Sequence, residues 1–138
     1  MIDYRAGVIP GGEQLLALYD SVGWSAYTEQ PERLCRAVQA SLLVLTAWGE
    51  DGELVGLLRA VGDGETILYV QDLLIRPDRQ RRGIGRTLLL DCVERYRDVR
   101  QKVLLTDDTP ATAAFYRACG FLFSGELGAV AFLYTSEE

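Results

Sequence analysis

The stretch that most constrains this chain is residues 71–90, QDLLIRPDRQRRGIGRTLLL. An apolar run stops at Pro77, a basic turn follows, and Gly83 and Gly85 stand one residue apart where a new apolar pattern begins. Beyond Gly83 the spacing is that of a helix. Ile84, Leu88, Leu89, Cys92, Val93 and Tyr96 fall on one stripe, and Arg86, Asp91, Glu94, Arg95 and Arg97 fall on the other side. Glycines in the first turn leave the backbone N–H groups bare. Those groups lack intrahelical partners and sit at the positive end of the helix dipole. Such a turn holds an anion, most often a phosphate.

Charge distribution points the same way. The 138-residue chain has a formal net charge of −6, yet residues 76–86 hold five arginines against the single Asp78, a local +4 that leaves −10 elsewhere. A basic spot on an acidic body suits a small phosphorylated ligand. It argues against nucleic acid, which wants a broad basic face. Histidine is absent and no C-x-x-C pattern occurs, so the usual zinc sites and any Ser-His or Cys-His nucleophile pair are excluded and no metal is expected. Cys35, Cys92 and Cys119 read as small buried hydrophobes. The N-terminus has no signal-peptide pattern, and the apolar run Leu42–Leu45 is far too short to span a bilayer. A cytoplasmic protein without membrane contact is the expectation.

Along the chain, Ile2, Tyr4, Ala6 and Val8 alternate with polar residues and predict a half-buried first strand. Leu15 to Val22 predicts a helix, Trp24 to Thr28 an aromatic loop, and Pro31 opens a second helix. Three strands follow (Ser41–Trp48, Glu53–Val61, Thr66–Ile75), joined at Asp51-Gly52 and Gly62-Asp63-Gly64. After the stripe helix, Val103–Leu105 reads as a short strand and Thr109–Gly120 as a capped helix with Pro110 in its first turn. Gly128–Thr135 alternates as a last strand. The predicted order is β-α-α-β-β-β-α-β-α-β-β, one α/β (α+β) domain over 1–138, with a mixed, mostly antiparallel sheet flanked by helices.

The glycines narrow the ligand. No Gly-Lys pair exists, which removes a P-loop, and Leu88 stands where a dinucleotide fingerprint wants its third glycine. What remains is Gln80-x-x-Gly83-x-Gly85 between a strand and a Leu-rich helix. This resembles the pyrophosphate-binding signature of the GNAT (Gcn5-related N-acetyltransferase) superfamily, whose element order the whole chain matches. A second family pattern, Asn-x-x-Ala-x-x-Phe-Tyr-x-x-x-Gly-Phe, is matched in its latter half by Phe115-Tyr116-Arg117-Ala118-Cys119-Gly120-Phe121, with Thr109 in the Asn place and Thr112 in the Ala place.

The resemblance implies acetyl-CoA as cosubstrate and direct attack of a primary amine on its thioester. The backbone of Leu73, Leu74 and Ile75 would pair with the pantetheine arm. Gln80, Arg81, Arg82, Gly83, Ile84, Gly85, Arg86 and Thr87 would wrap the pyrophosphate. Asp108, Thr109 and Thr112 would stand near the arm, and Tyr116 near the sulfur, stabilising the departing thiolate. The attacking amine must be neutral, which calls for a base or a desolvating pocket. Tyr69, Asp72 or an ordered water chain are candidates, with Glu126 a more distant one. Simple alternation puts Val70 and Asp72 on one face of the strand and Tyr69, Gln71 and Leu73 on the other. Trp24, Tyr27 and Tyr134 offer aromatic surface to an acceptor, and the acidic body favours a cationic amine. Two alternatives stand beside this reading: a non-catalytic acetyl-CoA-binding module, and an enzyme acting on protein N-termini or lysines. The apolar last strand leaves room for a homodimer.

Overall fold

A computed structural model describes residues 1–136. The chain divides into two compact units, the first running from Met1 to Leu105 and the second beginning at Thr106. The first holds a five-stranded sheet among the described residues, in spatial order β1 (Asp3–Ala6), β2 (Leu43–Trp48), β3 (Leu54–Gly62), β4 (Ile67–Ile75), β5 (Gln101–Leu104). Neighbours are antiparallel except β4 and β5, which are parallel because α4 (Ile84–Arg95) carries the chain across between them. Before β2 come α1 (Gly12–Ser21), the short α2 (Ser25–Thr28) and α3 (Pro31–Gln39). The expected mixed α/β architecture is therefore present. No helix among the described residues is long and apolar enough to cross a membrane.

Two faces of the sheet are closed by different helices. Leu15, Leu18 and Tyr19 of α1 and Leu34 and Val38 of α3 cluster with Leu57 and Leu74 of β3 and β4. On the opposite face α4 lays Ile84, Leu88, Leu89 and Cys92 inward, which is the stripe read from the sequence. Burying such a stripe of large aliphatic side chains contributes roughly 1.5–3 kcal/mol each before entropy is counted. Gly56 lets the helix start approach: a side chain there would come within 2.9 Å of Ile75 Cδ1 and 3.3 Å of Ile84 Cγ2.

The pairing of β3 with β4 is irregular at one point. Arg59 faces Asp72 but Ala60 faces Val70, so Gln71 is an extra residue, a β-bulge. A bulge turns consecutive side chains to the same side, and Gln71 and Asp72 both bond the Tyr27 hydroxyl. Val70, paired with Ala60, lies on the α4 face, while Asp72, paired with Arg59, lies on the α1 face. The alternation expected for this strand is thus corrected: Val70 and Asp72 point to opposite faces.

Three other expectations change. The first strand is exposed at all four positions rather than half-buried, since it is a sheet edge. Trp24–Thr28 is not a plain loop but contains the single turn of α2. The second unit contains α5 (Pro110–Ala118) and a short 3₁₀ turn at Ser124–Leu127, and neither of the two strands that close the predicted order is formed among the described residues, the one expected at 128–135 included. Val130, Phe132 and Tyr134 do alternate, but alternation makes a strand only when a neighbour takes the backbone hydrogen bonds. Phe132 and Tyr134 are 93% and 97% exposed.

Candidate functional site

The sheet splays where β4 outruns β5. Their pairing runs from Ile67↔Gln101 to Val70↔Leu104 and stops, while β4 continues to Ile75. From Gln71 to Ile75 the β5-side edge of β4 has no partner strand among the described residues. Its unpaired N–H and C=O groups can take an extended, amide-bearing ligand as a further strand. Leu73, Leu74 and Ile75, the residues expected to pair with an acyl-carrying arm, occupy this edge. Leu74 also anchors it, buried against α1.

The chain then enters the basic turn. Gln80 latches it back onto the strand: its Nε2 donates to the Ile75 carbonyl at 3.0 Å. Arg81 has φ 66° and Gly83 φ 83°, both in the left-handed region that favours glycine. A side chain at Gly83 would meet nothing within 4 Å, so φ rather than crowding demands glycine there. Gly83 is the N-cap of the 12-residue α4 and brings no side chain to its first N–H groups. The Thr87 hydroxyl turns inward and donates to the Gly83 carbonyl at 2.8 Å. What faces outward is backbone N–H, the arrangement that binds phosphate.

Not all of the local positive charge is available there. Arg76 pairs with Asp78 (2.8 Å) and Arg79 with Glu53 (2.8 Å). Arg81 and Arg82 are exposed and enter no ion pair among the described residues. Arg86 is also exposed, in the first turn of the helix.

Across the bulge lies a side-chain network. Asp72 Oδ2 accepts from Arg59 Nε at 2.6 Å and from the Tyr19 hydroxyl at 2.8 Å, and its Oδ1 accepts from the Tyr27 hydroxyl at 2.8 Å. Arg59 also donates to Ser41 Oγ and to the Tyr27 oxygen, each at 3.3 Å. The Arg59 and Asp72 side chains are 7% and 3% exposed. Burial pushes the Tyr19 and Tyr27 hydroxyls up from the ordinary tyrosine range; the Asp72 carboxylate adds to this at both, and the Gln71 amide opposes it at Tyr27. Burial works against the Arg59 charge, but Asp72 more than offsets it and the guanidinium is held above its usual range. Both tyrosines therefore stay protonated and donate.

The two side-chain candidates for the base, Asp72 and Tyr69, sit in different surroundings. Asp72, a candidate base, has its oxygens occupied by three donors within the network. Tyr69 is half-buried in the fully paired part of β4, between Val61 and Val103. Tyr27 lines a groove of about 350 Å³ together with Ala26, Gln30, Arg33, Leu34, Ala37, Arg59 and Gln71. Trp24 is not part of that lining. It packs on the α1 cluster, with ring centroids 5.9 Å from Tyr19 and 6.2 Å from Tyr27. Sequence reasoning missed Arg59 and Arg33. A signal for Arg59 existed, since one arginine in the otherwise apolar Leu54–Val61 must find an anion.

In the second unit Tyr116 is half-buried, its ring 5.0 Å from Phe115 and 6.0 Å from Phe121. Burial raises its hydroxyl above the ordinary range, and a hydrogen bond with Thr106 works against that. Thr109 is spent on the cap: its Oγ1 accepts from the Thr112 N–H at 3.2 Å. The Thr112 hydroxyl donates to the Asp107 carbonyl at 2.6 Å. Asp108 is exposed beside them. Glu126 is held by Arg117 at 3.0 Å and by the Phe123 N–H, and Tyr134 stands open to solvent.

The chain is similar to known proteins. The family model described as the Acetyltransferase (GNAT) family matches residues 12–121. An uncharacterised N-acetyltransferase, ycf52-like, of Prochlorococcus marinus is 30% identical over 129 residues, which cover 89% of this chain and 69% of that protein. An uncharacterised N-acetyltransferase, ycf52, of Gracilaria tenuistipitata is 29% identical over 110 residues, covering 76% of this chain; the match spans only 58% of its length. Among solved structures, a GNAT-family acetyltransferase from Streptococcus pneumoniae is 33% identical, with a TM-score of 0.88 and full coverage of both chains.

Proposed function

Because the chain belongs to the acetyltransferase (GNAT) family, we propose that it transfers an acetyl group from acetyl-CoA to a primary amine of a small molecule. The observation that carries this reading is the continuity of the free β4 edge, Gln71–Ile75, with the uncapped start of α4 at Gly83. An extended amide-bearing arm and a pyrophosphate are the two parts of coenzyme A that such a path fits.

When bound, acetyl-CoA supplies the acyl group as a thioester; the protein's own residues do the rest. Leu73 and Ile75 hold the arm through backbone pairing and offer an N–H to the carbonyl oxygen as negative charge develops on it. The turn residues from Arg81 to Thr87 fix the pyrophosphate end, chiefly through backbone N–H groups and the arginines. The groove beside Tyr27 takes the acceptor and strips water from its amine, favouring the neutral form. The amine nitrogen forms its bond to the acyl carbon as the carbon–sulfur bond breaks, and the amine proton passes to solvent. Tyr116, kept protonated, donates a hydrogen bond to the leaving sulfur. Asp72 orients Tyr27 rather than removing the proton itself.

The test is thiol release from acetyl-CoA with a panel of amines, wild type beside Tyr116→Phe. We expect acceptor-dependent release that falls about 10- to 100-fold in kcat in the variant, the range of one hydrogen bond to a charged group, with acetyl-CoA affinity unchanged. Acetyl-CoA binding without release for any amine would instead make this a binding module.

A further inference from the structure

The groove beside Tyr27 has a charge that acetyl transfer does not by itself demand. No carboxylate is among its lining residues, whereas two arginines are. Glu29 and Glu32, the nearest acids in sequence to Arg33, lie outside the lining. The two arginines differ. Arg59 is balanced by Asp72 beneath it. Arg33 is exposed and donates one long hydrogen bond from Nη1 to Gln30 Oε1 at 3.3 Å, with no ion pair among the described residues. The groove therefore carries about one uncompensated positive charge on a chain whose net charge is −6.

We propose that the acceptor is an amine that also carries a carboxylate, an amino-acid-like molecule, with Arg33 pairing that carboxylate. The inference rests on the acetyltransferase reading above. A guanidinium presents a planar fork that matches a carboxylate with two parallel hydrogen bonds. A polycationic acceptor would find no anion in this lining and would meet Arg33 as a like charge. The same cation favours chemistry, because a positive neighbour disfavours the ammonium form of the bound amine and leaves more of it neutral. Leu34 and the Tyr27 ring supply apolar walls for a side chain. Gln71, whose amide nitrogen donates to the Tyr27 hydroxyl at 3.4 Å, keeps its carbonyl oxygen for the amine. It lies two residues from Leu73, about 7 Å along the strand at the usual rise, so an amine held there is near the edge that takes the acyl arm. The volume, about 350 Å³, is at the small end of ligand pockets, which run from about 300 to 1,000 Å³.

The experiment compares amines that differ only by a carboxylate: phenylalanine with phenethylamine, tyrosine with tyramine, and ornithine with putrescine. An aminoglycoside serves as the polycation. Ratios of kcat/KM are read for wild type, Arg33→Ala and Arg33→Glu; Arg33 is exposed and lightly bonded, so both variants should fold. We expect wild type to prefer the acid of each pair by at least about tenfold, roughly one charge-assisted pair. The ratio should approach one in Arg33→Ala, through KM, and invert in Arg33→Glu. Equal or better turnover of the decarboxylated partners or of the aminoglycoside in wild type would overturn the inference while leaving the acetyltransferase reading standing. So would an acid preference unmoved by Arg33→Glu. No acetylation of any amine, with acetyl-CoA still bound, would bring down the acetyltransferase reading and this inference with it.

Discussion

The turn at residues 76–87 and the groove beside Tyr27 both hold arginines, and they hold them by opposite means. At the turn the charge lies on the surface, in N–H groups freed by Gly83 and in arginines that reach into water. At the groove an arginine is sunk beside an aspartate, and four elements distant in sequence, α1, α2, β3 and β4, must converge to hold the pair. The turn is thus specified by backbone conformation and should forgive changes of side chain. The network is specified by complementary side chains and should not forgive the loss of one.

That contrast breaks most readily at Asp72. Asp72→Ala leaves the Arg59 charge buried without its anion, which costs about 3–5 kcal/mol, against a total stability of about 5–15 kcal/mol. Urea unfolding should show the protein largely destabilised, and a loss below about 1 kcal/mol would mean that Arg59 has another outlet. Gly83→Asp should do the reverse. The left-handed φ costs only about 1–2 kcal/mol, yet acetyl-CoA binding by calorimetry should weaken at least about 100-fold, or about 2.7 kcal/mol. Arg81→Ala, which keeps the backbone, should weaken binding less than about tenfold, and a larger loss would mean that side chains, not N–H groups, carry the turn.

The smallest effect lies outside both regions. In the β3–β4 hairpin the Asp63 carboxylate accepts from the Thr66 hydroxyl and from the N–H groups of Glu65, Thr66 and Ile67, and these bonds, the Thr66 hydroxyl first, hold it well below the ordinary aspartate range. A depressed carboxyl adds stability above its unfolded pKa, about 3.9, and loses it as pH falls below that value. Wild type should therefore lose stability more steeply than Asp63→Asn between about pH 4 and pH 2.5, a window set by that reference value. Parallel curves would mean that the exposed carboxylate is already screened.

The same contrast explains what could be read beforehand. The turn is local: strand, proline, arginines, glycines and helix follow one another within twenty residues, so spacing alone reveals it. The groove is not. Arg59 and Asp72 each stand out as a charge in an apolar run, but nothing in one dimension says that they meet, or that Tyr19 and Tyr27 arrive from helices some 45–53 residues away. The bulge hid the pairing further, because strict alternation turns Asp72 to the wrong face. Thr109 is legible as well: it stands before Pro110 as a helix cap, and its Oγ1 accepts from the Thr112 N–H. At Gly128–Thr135 the pattern of a strand is present without the neighbour that would make it one.

The extra residue at Gln71 acts as a half-step of phase in β4. Before it, Leu68 and Val70 keep time with α4; after it, Asp72 and Leu74 keep time with α1. Without the half-step, Leu68, Val70, Asp72 and Leu74 would all beat on one side, and Asp72 would fall against Leu88 and Leu89 with no cation to meet. Deletion of Gln71 alone would therefore take out the extra residue and leave its neighbours in place, with Val70 still opposite Ala60 and Asp72 still opposite Arg59, each on its own face.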